Sequence, residues 1–213
     1  MPIDVKRTDI VKRRYNRFAP LYDLMEGIME GKRADKWRKT LWSKIEGSRI
    51  LEVGVGTGRN LPFYPKDKEI VAIDLAERML NKAMHKAQKL DLNVKFELMD
   101  AQDLRFPDNS FDSVVASFVF CSVPDPVLGL TEIKRVVKPG GKVILLEHML
   151  SSNRIVGFFM NLLNPVAVLT GGENINRRTV ENVVKSGLIL EKVTELALGI
   201  VKLVEASKPN KVK

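Results

Sequence analysis

The chain has 213 residues, 45% of them apolar and 29% charged, which suits a globular fold with a sizeable buried core and excludes a disordered chain. One cysteine, Cys121, excludes an internal disulfide and a cysteine-built metal cluster, and two histidines, His85 and His148, are too few for a histidine-built one. The net charge of +9 sits at the ends: 13 Lys/Arg against 7 Asp/Glu in residues 1–50, 14 against 15 in residues 51–176, and 8 against 4 in residues 177–213.

Residues 1–48 read as helical and precede the first strand. From Arg49 the pattern alternates. Arg49–Val53 is a short apolar strand ending in glycines, and Ile70–Asp74 is a second. Glu77–Leu90 carries Leu80, Ala83, Met84, Ala87 and Leu90 at helical spacing. Val94–Leu98 and Phe111–Ser117 read as the third and fourth strands. Leu128–Val137 reads as a helix stopped by Pro139-Gly140-Gly141. Lys142–Glu147 is the fifth strand, and Leu188–Leu196 and Ile200–Ala206 are two more around Gly199. Alternation with buried strands predicts an α/β fold: a Rossmann-like, seven-stranded, mostly parallel sheet with helices on both faces and an antiparallel last strand.

One domain is expected over residues 1–213. It divides into a helical cap (1–48), a cofactor-binding core (49–148), a lid or substrate segment (149–180) and a final helix with strands (181–213). Cap and lid can both fold over the carboxyl ends of the strands, where ligands bind in open α/β sheets.

The run Leu51-Glu52-Val53-Gly54-Val55-Gly56-Thr57-Gly58-Arg59-Asn60 places three glycines directly after a strand. Glycine lets a ligand approach the backbone closely. Asp74 lies 20 residues after Gly54, at the end of the second strand, the offset at which an acid accepts from ribose hydroxyls. A dinucleotide fingerprint wants glycine at position 59, where Arg59 stands. Glu52 disfavours a nearby pyrophosphate and suits a ligand carrying an ammonium and a sulfonium. Asp100 closes the third strand and can accept from an adenine amino group; as a helix cap or turn residue it has a purely structural alternative.

These runs, with Val71-Ala72-Ile73-Asp74, Met99-Asp100-Ala101-Gln102-Asp103-Leu104 and Arg135-Val136-Val137-Lys138-Pro139-Gly140-Gly141, resemble the class I S-adenosylmethionine-dependent methyltransferases. More narrowly, the chain is similar to the ubiquinone/menaquinone-biosynthesis and phospholipid N-methyltransferase group, whose opening motif matches Tyr15-Asn16-Arg17-Phe18-Ala19-Pro20-Leu21-Tyr22-Asp23. Asn60-Leu61-Pro62-Phe63-Tyr64-Pro65, Cys121-Ser122-Val123 and Leu146-Glu147-His148 look like a neighbouring branch of membrane-associated thiol methyltransferases. The resemblance implies a site for S-adenosylmethionine, with S-adenosylhomocysteine as product. Gly54, Gly56 and Gly58, with Asn60, border the methionine part, and Glu52 contacts its ammonium. Asp74 holds the ribose. Leu75 and Met79 pack near the adenine, and Asp100, Ala101 and Gln102 take its edge. Ser117, Phe118 and Val119 lie beside the methyl group, and Tyr15 and Tyr22 cover the site.

Methyl transfer from a sulfonium is a direct displacement, which needs alignment, desolvation and a correctly protonated nucleophile. Tyr15, Tyr22 and His148 are the candidate catalytic groups, with Cys121 as a further candidate base; each has packing as its plain alternative. The acceptor is expected to be small or lipid-like: a phospholipid amine, a quinone precursor or a thiol. A nucleic-acid acceptor ranks well below, because Ser117-Phe118-Val119-Phe120 is apolar where amino-directed nucleic-acid enzymes carry a polar-Pro-Pro-aromatic run. A nicotinamide oxidoreductase, disfavoured by Arg59 and Glu52, and a non-catalytic cofactor-binding protein also rank below methylation of a small or lipid-like acceptor. The apolar run 155–169 reads as a buried lid helix, or as a pocket or lipid-touching surface. With Arg13, Arg14 and Arg17, it makes peripheral contact with an anionic membrane an expectation for an otherwise cytoplasmic protein.

Overall fold

The structure is a computed structural model that describes residues 3–170 and 172–210; the side chains of residues 25–32 and 170 lie outside that description. Two helices come first, α1 (Val5–Phe18) and α2 (Tyr22–Trp42). Asp4 caps α1 by accepting from the Arg7 amide, satisfying one of the free N–H groups of its first turn. Then follow β1 (Arg49–Val53), a 3-10 turn (Leu61–Phe63), β2 (Glu69–Asp74), α3 (Glu77–Lys89), β3 (Val94–Leu98), β4 (Phe111–Ser117), α4 (Pro126–Val136) and β5 (Val137–His148). The chain closes with α5 (Arg154–Thr170), α6 (Thr179–Lys185), β6 (Ile189–Ala197) and β7 (Val201–Ser207).

The seven strands form a single sheet in the order β3-β2-β1-β4-β5-β7-β6. β1 pairs in parallel with both β2 and β4, while β7 runs antiparallel to β5 and to β6. The mostly parallel sheet with an antiparallel last strand is as expected. That strand, however, sits inside the edge, and β6 is the edge strand.

The strands alternate their side chains between two cores, as the period of two requires. Leu51, Val53, Val71, Ile73, Val114, Ala116, Val143 and Leu145 face one core with Leu130, Ile133 and Val136 of α4. Ile50, Ile70, Ala72, Val115, Ile144 and Leu146 face the other with Leu41 and Trp42 of α2 and Leu80 and Ala83 of α3. Two element starts depart from expectation by more than one residue. α4 begins two residues early because Asp125 caps it, accepting from the Val127 and Leu128 amides with Pro126 at the first turn. β5 begins at Val137, and the Lys138–Gly141 stretch is absorbed as a bulge between the Phe111↔Val137 and Ser113↔Lys142 pairs.

The strand order reverses between β1 and β4, so the crevice outside their carboxyl ends is the place such a sheet offers a ligand. Phe111 anchors the opposite end, fully buried and edge-to-face with Phe106 at 5.1 Å between ring centroids. Phe111→Ala is expected to destabilise the fold by about 3–5 kcal/mol, read as a lower urea midpoint with an unchanged denaturant slope.

Candidate active site

A cleft with a cavity volume of about 90 Å³ opens at the predicted crevice. Val53, Gly54, Val55 and Gly56 form one wall, and Asp74, Leu75 and Met79 the next. Asp100, Ala101, Ser117, Phe118 and Val119 line the other side, and Lys12, Tyr15, Tyr22 and Arg38 of the two N-terminal helices complete it.

Gly54 and Gly58 are packing positions: a Cβ at Gly54 would lie 2.4 Å from a Val119 methyl, and one at Gly58 would lie 2.4 Å from Leu61. Gly56 differs, because a Cβ there would meet nothing within 4 Å, so its backbone faces open cleft. Its N–H donates to Asp74 Oδ2 at 2.8 Å, and the Ala76 N–H donates to Oδ1 at 2.8 Å. The carboxylate is thereby fixed with lone pairs to spare for two hydroxyls. Burial holds the Asp74 carboxyl up at about 6, against the hydrogen bonds that pull it down.

Asp100 is held by Gln102, whose side-chain amide donates to Oδ2 at 3.0 Å and whose backbone N–H donates to Oδ1 at 2.9 Å. Gln102 Oε1 also accepts from the Asp125 amide. Gln102 itself is buried behind the wall and braces the acid.

Behind the glycine loop lies a buried polar network. Asn60 Nδ2 and the Tyr64 hydroxyl both donate to Glu52. Arg38 Nη1 donates to Asn60 Oδ1 and to Ser117 Oγ, each at 3.0 Å, and Asn60 Nδ2 reaches the same Ser117 oxygen at 2.8 Å. Burial pushes the Glu52 carboxyl up to about 7. Glu52, Gly58 and Asn60 are therefore set one layer back from the cleft surface, joined to it through Ser117 and Arg38.

Phe118 directly follows β4 with a φ of +57°, a conformation that costs a non-glycine residue free energy and clusters at functional sites. Its ring packs on His148 at 4.5 Å between centroids, with the Arg38 guanidinium 5.3 Å away. His148 stands behind Phe118, away from the cleft lining. The following turn is held by Glu147, which accepts from the Val119 amide at 3.0 Å and the Phe120 amide at 3.2 Å. Burial pushes the Glu147 carboxyl up to about 8. Cys121 is buried, and burial raises its thiol well above the ordinary range.

Tyr15 and Tyr22 meet edge-to-face at 6.1 Å on the cleft wall. Among the described residues, none from 149–180 lines the cleft. Asn174 and Arg177 instead donate to the Cys121 and Val123 carbonyls and brace the turn after β4. Three contributors lay outside the sequence reading: Arg38, Glu147 and Glu173. Arg38 carried a usable signal, since it continues the buried helical stripe of Ala34, Leu41 and Trp42 with a charge. Glu147 sits near the end of a buried strand, and Glu173 has no local signal.

A cleft with fixed carboxylates, an open glycine backbone and an apolar side formed by Leu75, Met79 and Ala101 can hold a flat aromatic group, a diol and a cation together. S-adenosylmethionine carries all three, and the residues present fit it. A methyltransferase-domain family model matches residues 51–145. A phosphatidylethanolamine N-methyltransferase of Cereibacter sphaeroides is 40% identical over 142 residues, covering 66% of this chain and 68% of that one. A demethylmenaquinone methyltransferase of Deinococcus radiodurans is 32% identical over 173 residues, covering 76% and 72%. The crystal structure of an S-adenosylmethionine-dependent methyltransferase from Aquifex aeolicus shares the fold, with a TM-score of 0.66 at 22% identity over 90% of this chain and 97% of that one. With this cleft and these relatives, the chain belongs to the methyltransferase-domain family, as an S-adenosylmethionine-dependent methyltransferase.

Proposed function

We propose that the acceptor is a molecule presented by a lipid phase, a phospholipid amine or a quinone-like ring, methylated by direct displacement. The observation that carries this reading is the outward face of α5. Ile155, Phe158, Leu162 and Leu169 are 71%, 63%, 62% and 80% exposed, and Phe159, Leu163 and Val166 extend the same stripe. An apolar face of that extent on a water-facing helix marks an interaction surface. Arg154 opens the helix, and exposed Arg13 and Arg17 on α1 add the charge that attracts anionic head groups. No helix among the described residues is long and apolar enough to cross a membrane, so α5 would lie in the interface. The two relatives' names add support, since phosphatidylethanolamine and demethylmenaquinone are both lipids.

When bound, the cofactor supplies a sulfonium-activated methyl group. In this reading Asp74 accepts from the ribose hydroxyls, while Asp100 and Ala101 take the adenine edge with Leu75 and Met79 on its face. Gly54 and Gly56 let the methionine part lie against the backbone. Ser117 and Phe118 border the transferring carbon, with Glu52, Gly58, Asn60 and Gln102 supporting from behind. Tyr15 and Tyr22 close over the acceptor and exclude water, and His148 fixes the Phe118 ring.

Cofactor binding should depend on pH. A diol donates to an ionised carboxylate, and a cation favours it, so the ligand takes up the deprotonated form of Asp74. Affinity is expected to rise as pH climbs through about 6, by about tenfold per unit below that point. Asp74→Asn is expected to weaken binding by about tenfold or more at pH 7.5 and to flatten the slope between pH 5 and 6; calorimetric titration with S-adenosylmethionine reads both. On the membrane side, the chain is expected to float with anionic liposomes at low salt, and Phe158→Glu with Leu162→Glu to abolish flotation while leaving cofactor affinity intact. Transfer of labelled methyl to phosphatidylethanolamine or demethylmenaquinone in vesicles tests the acceptor, and absence of both products would refute this assignment.

A further inference from the structure

Tyr15 stands on the cleft wall, and its hydroxyl donates to Glu173 Oε1 at 3.1 Å. Glu173 comes from the segment after α5, 158 residues away in sequence. From Gly172 on, that segment is tied to α1 and to the turn after β4. The Asn174 backbone N–H donates to the Cys121 carbonyl at 2.9 Å, and Arg177 Nη2 donates to the Val123 carbonyl at 2.6 Å. Gly172 lies so close to the Arg14 guanidinium that a Cβ there would be 1.8 Å from it. A carboxylate is thus fixed one hydrogen bond behind the cleft, next to the turn that follows β4.

The chemistry of the acceptor gives this pair a task. An aliphatic amine is an ammonium at neutral pH, ordinarily up to about 10, and has no lone pair to offer. A phenol must also lose a proton. The acids on the cofactor side, Asp74 and Asp100, are engaged by backbone amides and by Gln102. Burial and the Glu173 charge keep the Tyr15 phenol protonated well above its ordinary range, so Tyr15 is no base by itself. A hydroxyl that donates at one end and accepts at the other can still pass a proton on.

We propose that Tyr15 and Glu173 form a proton relay that frees the acceptor's lone pair for methyl transfer, an inference that rests on the lipid-amine acceptor proposed above. The ammonium's N–H bond breaks and its proton goes to Tyr15 Oη, while the Tyr15 proton moves to Glu173 Oε1. With S-adenosylmethionine bound, the freed nitrogen pair would form the bond to its methyl carbon, and the C–S pair would stay on sulfur. Glu173, partly exposed, then returns its proton to water. The charged and titratable groups around the pair are Lys12 and Arg14 of α1, Tyr22 of α2, Cys121 after β4, Glu147 of β5 and Arg177 of the same segment. Arg177 pulls the Glu147 carboxyl down while Glu173 pushes it up.

The test is labelled-methyl transfer by the full chain into phosphatidylethanolamine vesicles from pH 6 to 10. Glu173→Gln keeps an oxygen for the Tyr15 hydroxyl but takes no proton, and Tyr15→Phe cuts the relay at the cleft. Each is expected to lower kcat by about a hundredfold or more at pH 7 with S-adenosylmethionine affinity within about threefold of the parent. The deficit should shrink towards pH 10, where the amine loses its own proton, and Glu173→Asp should restore part of the rate. Should one variant lose cofactor binding, the other carries the measurement. A parental rate in Glu173→Gln, or a deficit equal at every pH, would overturn the relay alone. No transfer by the parent chain, into these vesicles or into vesicles holding demethylmenaquinone, would overturn the acceptor assignment and the relay with it.

Discussion

The site depends on a carboxyl group sealed inside the protein. Glu52 sits in the middle of the sheet with no exposure to water, a placement tolerated only when every polar partner is supplied. Asn60 and Tyr64 supply them from the loop and turn that follow β1. Asn60 then meets Arg38 of α2 and Ser117 at the end of β4. One buried network therefore ties together the first strand, the glycine loop, the second helix and the strand across the crevice. A partly satisfied network of this kind is worse than an apolar core, so its members specify one another's positions. The glycine loop takes its course because the asparagine two residues beyond Gly58 must reach Glu52.

Three buried carboxyl groups lie at or behind the crevice wall, and all are shifted the same way. Burial holds Asp74 at about 6, Glu52 at about 7 and Glu147 at about 8. Their neutral forms are favoured in the folded chain, so this part of the stability is present at acid pH, below the ordinary carboxyl range, and is lost as pH rises through these values. A cation bound in the crevice would favour the ionised forms instead.

Much of this was legible in the sequence, for physical reasons. β1 and β4 stand where expected because buried parallel strands are short, apolar and bounded by turn residues. Gly54, Asp74 and Asp100 were visible because they end or closely follow strands, which occur at fixed offsets. The failures have a common cause. The start of β5 was hidden by Lys138-Pro139-Gly140-Gly141, a turn-like run that the sheet absorbs as a bulge because Val137 still pairs with Phe111. The inner position of β7 depends on pairing between elements far apart in sequence. Glu173 meets Tyr15 across 158 residues, and no local pattern announces such a meeting. Arg38 was the avoidable omission, since a cation on the Ala34–Leu41 stripe had to find a buried partner.

The acceptor side follows from where α5 begins and ends. After Arg154 the helix carries no charge, and its bulky side chains at 155, 158, 159, 162, 163, 166 and 169 point outward while Gly157 and Met160 face the fold. A helix pressed onto its own protein would bury that stripe. The stripe's exposure leaves it to whatever meets the protein there. Lipid acceptors do not cross water readily, so an enzyme that uses them must bring its cleft to the bilayer. α5 ends at the residues that seat Glu173 beside Tyr15, so on the reading proposed here one segment would both meet the lipid and carry the proton acceptor. The depth at which the helix rests would then set how far a head group must rise to reach Tyr15. Acceptor choice would depend on that reach, with the cofactor side of the cleft unchanged.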